Sequence, residues 1–255
     1  MSYSADTQRQ QATDTQSRLR VGPLRVCMHV DTPIREDPRV MRDALALAEA
    51  GAQVTLIDIA DDPHSPRHEE RDGIRFEHVI MPEWYVPTRF KPFFLVKLAW
   101  MFLRCSARLL RIPADVYHAQ DQIPLAATYV AAKIHRRPLI FDAHEFPLVD
   151  QAITRWRFLH ACATLCFRGL LKGCAAVISV SPHIVDEIAK RYGVRKTALV
   201  RNIPDYQAPK QSDRLRSWLN LPQGTCIALY QGMLLPDRAL ETLIYAAKYL
   251  DADHV

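Results

Sequence analysis

The sequence predicts an α/β protein with a Rossmann-like, doubly wound parallel sheet, followed by an incomplete second Rossmann-like domain. Three observations lead to this fold class. Short apolar runs alternate along the chain with amphipathic stretches of helical spacing. The apolar runs lack an in-out alternation, as expected for strands that are covered by helices on both faces. Hydrophobic residues make up 49% of the 255 positions, which is enough for a substantial core.

The elements follow one another in a β-α order. The first strand is apolar and β-branched, and the first helix begins at Asp37-Pro38, a typical cap with proline at the first helical position, and stops at Gly51. The predicted strands are Leu24–Val30, Gln53–Ile59, Ile74–Ile80, Val116–His118, Leu139–Ala143, Ala176–Val180 and Thr197–Val200. The predicted helices are Asp37–Ala50, Phe90–Arg111, Pro124–His135, Ile153–Leu171 and Pro182–Tyr192.

Composition divides the chain into four parts. Residues 1–22 form a polar tail that we expect to be disordered, residues 23–202 the first domain, and residues 203–223 a linker rich in Pro, Gln and Asp. Residues 224–255 read as a single β-α unit, with a buried strand at Cys226–Tyr230 and a helix at Arg238–Tyr249. One such unit cannot bury its own faces, so we expect a truncated product or a piece of a longer enzyme.

Several classes are disfavoured. The start lacks the apolar run of a secretory signal, and the longest apolar run, 93–103, is too short to span a bilayer. The six cysteines lack paired CxxC spacing and are expected to be reduced core thiols. No glycine motif for dinucleotides or P-loop phosphates is present, nor is GxSxG. We expect no metal site, no cofactor and no nucleic-acid partner.

Polar residues follow the predicted strands, where ligands bind in doubly wound sheets. His29 and Asp31 follow the first strand, and His118 and Asp121 lie at the end of the fourth. The fifth strand ends in a polar segment that contains Asp142, His144 and Glu145. The loop from Gly232 to Arg238 follows the predicted strand beyond the linker. Arg35 and Arg39 flank a helix N-terminus, which favours an anion between them. His144 is either a structural histidine or a neutral imidazole that bonds a substrate hydroxyl.

An ordered series of segments resembles the retaining glycosyltransferases of family four, which have the GT-B fold. The segments are DPRVMRDALALAEAGAQVTLI (37–57), DVYHAQD (115–121), FDAHE (141–145), AAVISVSPHIVDEIAKRYG (175–193), VRNIPD (200–205) and ALYQGMLLPDRALETLIYAAKYL (228–250). The resemblance implies two facing Rossmann-like domains, the first binding the acceptor and the second a nucleotide-sugar donor.

The resemblance also implies site residues. His144 matches the histidine that contacts the donor sugar near the reacting carbon, and Gly232 and Arg238 match the loop that receives the donor diphosphate. The acceptor-side residues of the same prediction are Asp31, Arg35, His118 and Glu145. The chain departs from the family in the first loop, which lacks glycines, and at Ala239, where glycine is usual.

The function so implied is metal-independent transfer of a hexosyl group, with retention of configuration, from a nucleotide-diphosphate sugar to a glycan or lipid-linked acceptor. Cell-surface polysaccharide or glycolipid synthesis is the expected setting, and a chain ending at Val255 is expected to be inactive alone. The alternative is a non-catalytic remnant or a membrane-surface or partner-binding module.

Besides the nucleotide sugar and the acceptor, an anionic membrane surface is an expected partner. Residues 84–114 carry six cations and no acid, and aromatic residues alternate with these cations over 90–111. That pattern fits either an interfacial helix on anionic lipid or a core helix with a basic edge. We therefore expect a cytoplasmic protein, peripheral on the inner face of the membrane in the first case.

Overall fold

The strands form one twisted sheet in a computed structural model that describes residues 22–60, 62–81, 91–147, 157–204, 206, 208, 212–232, 234 and 238–249. The strands are β1 (Arg25–His29), β2 (Gln53–Ala60), β3 (His68–Arg71), β4 (Ile74–Ile80), β5 (Val116–Gln120), β6 (Leu139–Ala143), β7 (Ala176–Ser179) and β8 (Thr197–Leu199). Their order is β3-β4-β2-β1-β5-β6-β7-β8, and every described pair is parallel except β3 with β4. The α/β, Rossmann-like fold class is confirmed.

The first five helices connect parallel strands of the sheet, and the last two follow β8. They are α1 (Pro38–Glu49), α2 (Lys91–Leu109), α3 (Gln122–Ile134), α4 (Arg157–Lys172), α5 (Pro182–Tyr192), α6 (Arg214–Trp218) and α7 (Leu240–Ala246), with 3₁₀ turns at Ile34–Glu36 and Ala247–Tyr249. The predicted bounds of β4, β6 and α5 are confirmed to the residue. Residues 153–156, where the fourth helix is predicted to begin, lie outside the described residues.

The sheet is covered on both faces. In β1, Val26 and Met28 pack in a cluster with α1, whereas Cys27 belongs to a larger cluster built with α2, α3, α4 and α5. This alternation of buried side chains is what a doubly wound sheet requires. The parallel pairing of β1 with β5, and of β5 with β6, brings the carboxyl ends of these three strands together at one edge of the sheet.

Two expectations about strands are wrong. The antiparallel edge strand β3 was not predicted, because the residues HEER carry no apolar pattern. It forms because Asp72 (φ 54°) and Gly73 (φ 74°) make a two-residue turn of the kind that joins hairpin strands. Conversely, Cys226–Tyr230 is not a strand, and Cys226 and Leu229 are exposed. No neighbouring strand in the described part of the chain pairs with this segment, so its backbone has no ladder to join.

The chain divides into two compact units after Ile203, the second comprising residues 204–255. No helix among the described residues is long and apolar enough to cross a membrane. The expectation of core thiols holds for Cys27 and Cys105, which are buried, but is wrong for Cys166 and Cys226, which are exposed. The side chain of Cys162 lies outside the described set.

Candidate functional site

Polar side chains crowd the edge of the sheet at the carboxyl ends of β1, β5 and β6. We call them the rim cluster: His29, Asp31, Arg39, Gln120, Asp121, Asp142 and His144. Their charges affect one another: burial raises the pKa of Asp121 and Asp142, the charge of Arg39 opposes this increase, and burial and Arg39 together lower the pKa of His144. The β-α order predicts this meeting of strand ends, and the structure confirms it.

His144 is held in one protonation and tautomeric state. Its Nε2 lies 2.9 Å from Oε1 of Gln120, which only accepts, so Nε2 carries the hydrogen. Burial, reinforced by the charge of Arg39, lowers the pKa of His144 to about 4. The ring is therefore neutral at pH 7, and its Nδ1 is a hydrogen-bond acceptor at the half-buried surface of the rim.

Gln120 is itself positioned by His118, which lies beneath it. Its Nε2 lies 3.4 Å from Nδ1 of His118, which is 7% exposed. Burial, followed by the charge of His144, lowers the pKa of His118 to about 4, so this ring is neutral and accepts from the Gln120 amide. His118 thus lies beneath the surface and orients Gln120, which orients His144.

His29 presents a second acceptor. The hydroxyl of Thr128 donates to the carbonyl of Pro124 (2.8 Å), so its oxygen accepts from Nδ1 of His29 at 2.9 Å. Burial lowers the pKa of His29 to about 4, which leaves Nε2 with a lone pair. That atom is buried and has no hydrogen-bond partner within the described structure.

Asp142 and Arg39 complete the polar centre of the rim. Asp142 is 4% exposed, and burial raises its pKa to about 7, with a further contribution from Asp43. Its Oδ1 and the Nε and Nη1 atoms of Arg39 are buried without hydrogen-bond partners among the described residues. Buried polar atoms are normally paired, so these atoms await a ligand or ordered water.

The loop after β1 is shaped by the start of α1. Oδ1 of Asp37 accepts from the backbone N–H groups of Arg39 (3.1 Å) and Val40 (3.3 Å), so Asp37 is the helix cap. Asp121 caps α3 in the same way, through Gln122 N at 2.8 Å. Its φ of 70° with ψ of 178° is a conformation that glycine favours, and backbone strain of this kind is typical of functional sites.

Of the four predicted acceptor-side residues, His118 is buried beneath the rim behind Gln120, and the other three lie in the rim or beside it. Asp31 is half-buried in the rim, where burial and the charges of Asp121 and Asp37 raise its pKa to about 6. Arg35 and Glu145 are exposed beside the rim. A cavity of about 520 Å³ opens next to His29 and Asp31 and is otherwise lined mainly by apolar side chains of α2, α3 and α4.

Gly232 and Arg238 belong to the second unit, and both are exposed. A Cβ at Gly232 would lie 2.9 Å from the hydroxyl of Tyr230, so little space remains there for a side chain. Ala239 has a φ of 52°, the left-handed conformation that favours glycine, at the position where the resemblance also expects glycine. No described residue forms a hydrogen bond or ion pair with Arg238.

Sequence reasoning missed Gln120 and Thr128. Gln120 lies inside the DVYHAQD segment, one residue before Asp121, so its place at the end of β5 was a usable signal. Thr128 is 99 residues from its partner His29, and no sequence signal indicated it. Among the described residues, no three His, Cys, Asp or Glu side chains are arranged to hold a metal ion.

Comparison with known proteins adds a family. The family model described as Glycosyltransferase Family 4 matches residues 40–205. A sucrose-phosphate synthase from Thermosynechococcus elongatus is similar in structure, with a TM-score of 0.69 at 17% identity over 89% of this chain. A glycosyltransferase from Rickettsia africae has a TM-score of 0.59 at 14% identity over 90% of this chain. The chain spans 60% and 58% of the length of these two proteins. No curated protein matches the sequence significantly.

Proposed function

Since the chain belongs to Glycosyltransferase Family 4, we propose that it takes part in moving a hexosyl group from a nucleotide-diphosphate sugar to a glycan or lipid-linked acceptor. The proposal includes retention of configuration, no requirement for a metal, and a role in cell-surface polysaccharide or glycolipid synthesis. In this transfer the acceptor oxygen replaces the phosphate oxygen on the anomeric carbon, and the acceptor proton leaves with the diphosphate.

The observation that carries the proposal is the fixed state of His144. A neutral ring whose Nε2–H is bonded to Gln120 offers Nδ1 as an acceptor to a sugar hydroxyl. His144 thereby orients the donor sugar near the reacting carbon. His118 and Gln120 are positioning residues in this scheme, because they act through His144.

The donor diphosphate is assigned to Gly232 and Arg238. As the sugar leaves, negative charge develops on the diphosphate, and a guanidinium stabilises this charge through charge-assisted hydrogen bonds. This assignment is supported by the sequence resemblance around residues 228–250.

The acceptor is assigned to the rim and to the cavity beside it. Asp31, Arg35 and Glu145 provide charged hydrogen-bonding groups for hydroxyls, while the 520 Å³ cavity is largely apolar. A polar edge beside an apolar cavity suits an acceptor with a sugar head and an apolar body, which favours a lipid-linked acceptor over a free glycan.

The outer face of α2 supports peripheral association with anionic membranes on the cytoplasmic side. Val96, Trp100 and Leu103 are 56%, 39% and 60% exposed, and Arg104 and Arg111 are exposed as well. Lys97, one of the cations of the predicted interfacial pattern, is only 5% exposed and is not part of that face. Exposed aromatic and aliphatic side chains beside arginines are typical of helices that lie on lipid.

The test is nucleotide-sugar turnover, followed as release of nucleoside diphosphate, by a full-length form in which this chain is joined to a complete donor-binding domain, with His144→Ala. We expect kcat to fall about a hundredfold, the effect of losing one oriented polar group of an active site, with an unchanged midpoint of thermal unfolding. His183→Ala is the matched control, because His183 is exposed at the start of α5. Equal rates for the two variants would remove His144 from the mechanism.

The positioning role has its own readout. Gln120→Glu retains an acceptor for Nε2–H but places a negative charge beside the ring, so the pKa of His144 should rise. The acidic limb of the kcat profile should then move to higher pH. A purely structural Gln120 would leave the position of that limb unchanged.

A further inference from the structure

Four arginines line a pocket of about 250 Å³ at the β3 side of the sheet, and none of its residues belongs to the rim cluster. The lining comes from the start of β3, the end of β4 and the C-terminal half of α2 and the turn after it. It consists of Arg67, His68, His78, Val79, Ile80, Arg104, Ala107, Arg108 and Arg111. Among the residues that the structure describes, no carboxylate lines the pocket.

The carboxylate beside the pocket is already fully engaged. Glu77 is 0% exposed; its Oε1 accepts from Nε of Arg75 at 2.8 Å and its Oε2 from Nδ1 of His68 at 2.7 Å. Arg108 forms an ion pair with the same Oε2. Both oxygens of Glu77 are therefore already bonded to side chains around the pocket.

Three pocket arginines remain without compensation. In the described part of the chain, Arg67, Arg104 and Arg111 have no carboxylate within ion-pair distance. Positive charge also acts on Arg108, whose pKa is lowered first by partial burial and then by the charges of Arg75, Arg111 and Arg67. Like charges gathered in a concave surface raise the local concentration of anions.

We propose that this pocket binds a phosphate group, as a phosphomonoester or diphosphate, carried by a soluble metabolite or by a lipid headgroup. Guanidinium groups match the geometry of phosphate oxygens in bidentate pairs. The volume of about 250 Å³ accommodates a phosphate and its nearest substituent rather than a whole nucleotide. The site lies outside the proposed transfer chemistry, and its occupation is measured by binding alone.

The first experiment titrates the 255-residue chain with inorganic pyrophosphate in a calorimeter. The pocket variant is Arg104→Ala with Arg111→Ala, since both side chains are exposed and neither pairs with Glu77. The control is Arg195→Ala with Lys196→Ala, which removes the same charge from exposed positions before β8, at the opposite edge of the sheet. We expect saturable binding that weakens at least tenfold in the pocket variant and less than twofold in the control.

The second experiment identifies the source of the phosphate. Vesicles with phosphatidic acid, which exposes a phosphomonoester, are compared with phosphatidylglycerol vesicles of equal charge density. Preference for phosphatidic acid that is lost in the pocket variant assigns a lipid headgroup, whereas pyrophosphate binding without this preference assigns a soluble phosphate. The proposal is overturned if neither probe binds saturably, or if the pocket and control variants lose affinity equally.

Discussion

Two groups of buried charge lie in the same sheet and differ in how their charges are compensated. At the β3 side, both oxygens of Glu77 are bonded to cationic side chains. Nearby, buried Asp58 accepts from the backbone of Ile34 at 2.9 Å and pairs with His78 at 2.5 Å. Both buried carboxylates of this region, Glu77 and Asp58, therefore have partners within the protein.

The rim cluster is different. Asp142 Oδ1, His29 Nε2 and two guanidinium nitrogens of Arg39 are buried, and in the described structure they have no hydrogen-bond partner. An unpaired buried polar atom costs about 1–3 kcal/mol, so such atoms are retained where they do something other than stabilise the fold. Burial alone therefore does not identify a functional polar group, whereas burial without a hydrogen-bond partner does.

The largest expected effect on stability is at Glu77, the buried carboxylate whose charge is compensated by its neighbours. Glu77→Gln removes the one negative charge shared by Arg75, Arg108 and His68. We expect the free energy of unfolding of the first unit to fall by about 4 kcal/mol, as when one member of a buried pair is removed. Urea denaturation followed by circular dichroism measures this change.

Glu70→Gln is the matched control, because Glu70 is exposed on the neighbouring strand β3. The same change of charge there should alter the free energy of unfolding by less than about 0.5 kcal/mol. If Glu77→Gln cost no more than this control, the cations around Glu77 would not depend on it, and the contrast with the rim would fail.

The contrast between the two groups could be predicted from sequence only in part. The strand ends of the rim follow from apolar runs such as Leu139–Ala143, whose bounds need no tertiary information because both faces are buried. The position of His144 directly after such a run was therefore a sound prediction. Whether its ring is fixed by Gln120, however, depends on the register of β5 against β6 and on side-chain rotamers.

The strand β3 and the side chains around Glu77 could not be predicted from apolar runs. The residues of β3 are all polar, and only the Asp72-Gly73 turn signalled a hairpin. The side chains bonded to Glu77 come from β3, β4 and α2, and they are separated by up to 40 residues in the sequence. Conversely, Cys226–Tyr230 has the composition of a strand, but a strand also needs a neighbour, which composition does not report.

The second expected effect is a gain in stability at the rim. The pKa of Asp142 is about 7 in the folded chain and near 3.8 when unfolded, so the unfolded state releases this proton first as the pH rises. Ionisation of Asp142 therefore costs stability progressively between about pH 4 and pH 7. Asp142→Asn removes this cost, and we expect the variant to be more stable than the wild type by on the order of 2 kcal/mol at pH 8.

The measurement is the free energy of unfolding of both proteins at pH 4 and pH 8. At pH 4 the difference should nearly vanish, because the carboxyl is protonated in the folded state. Below about pH 6.5, His29, His118 and His144 also lower the stability, since their folded pKa values are depressed to about 4. That trend is common to both proteins and cancels in the difference. A variant that is less stable at pH 8 would show that Asp142 is compensated after all.

The smallest expected effect concerns Thr128, whose hydroxyl oxygen accepts a hydrogen bond from Nδ1 of His29. Thr128→Val preserves the shape of the side chain but removes the oxygen that accepts from Nδ1, 2.9 Å away. Both ring nitrogens would then be buried without partners, and we expect a loss of about 1 kcal/mol in the free energy of unfolding. Thr128→Ser retains the oxygen and should recover most of this loss, apart from the packing of one methyl group.

If the serine and valine variants were equally destabilised, packing rather than the hydroxyl would hold His29 in place. The lone pair on Nε2 would then not be fixed in place for a ligand.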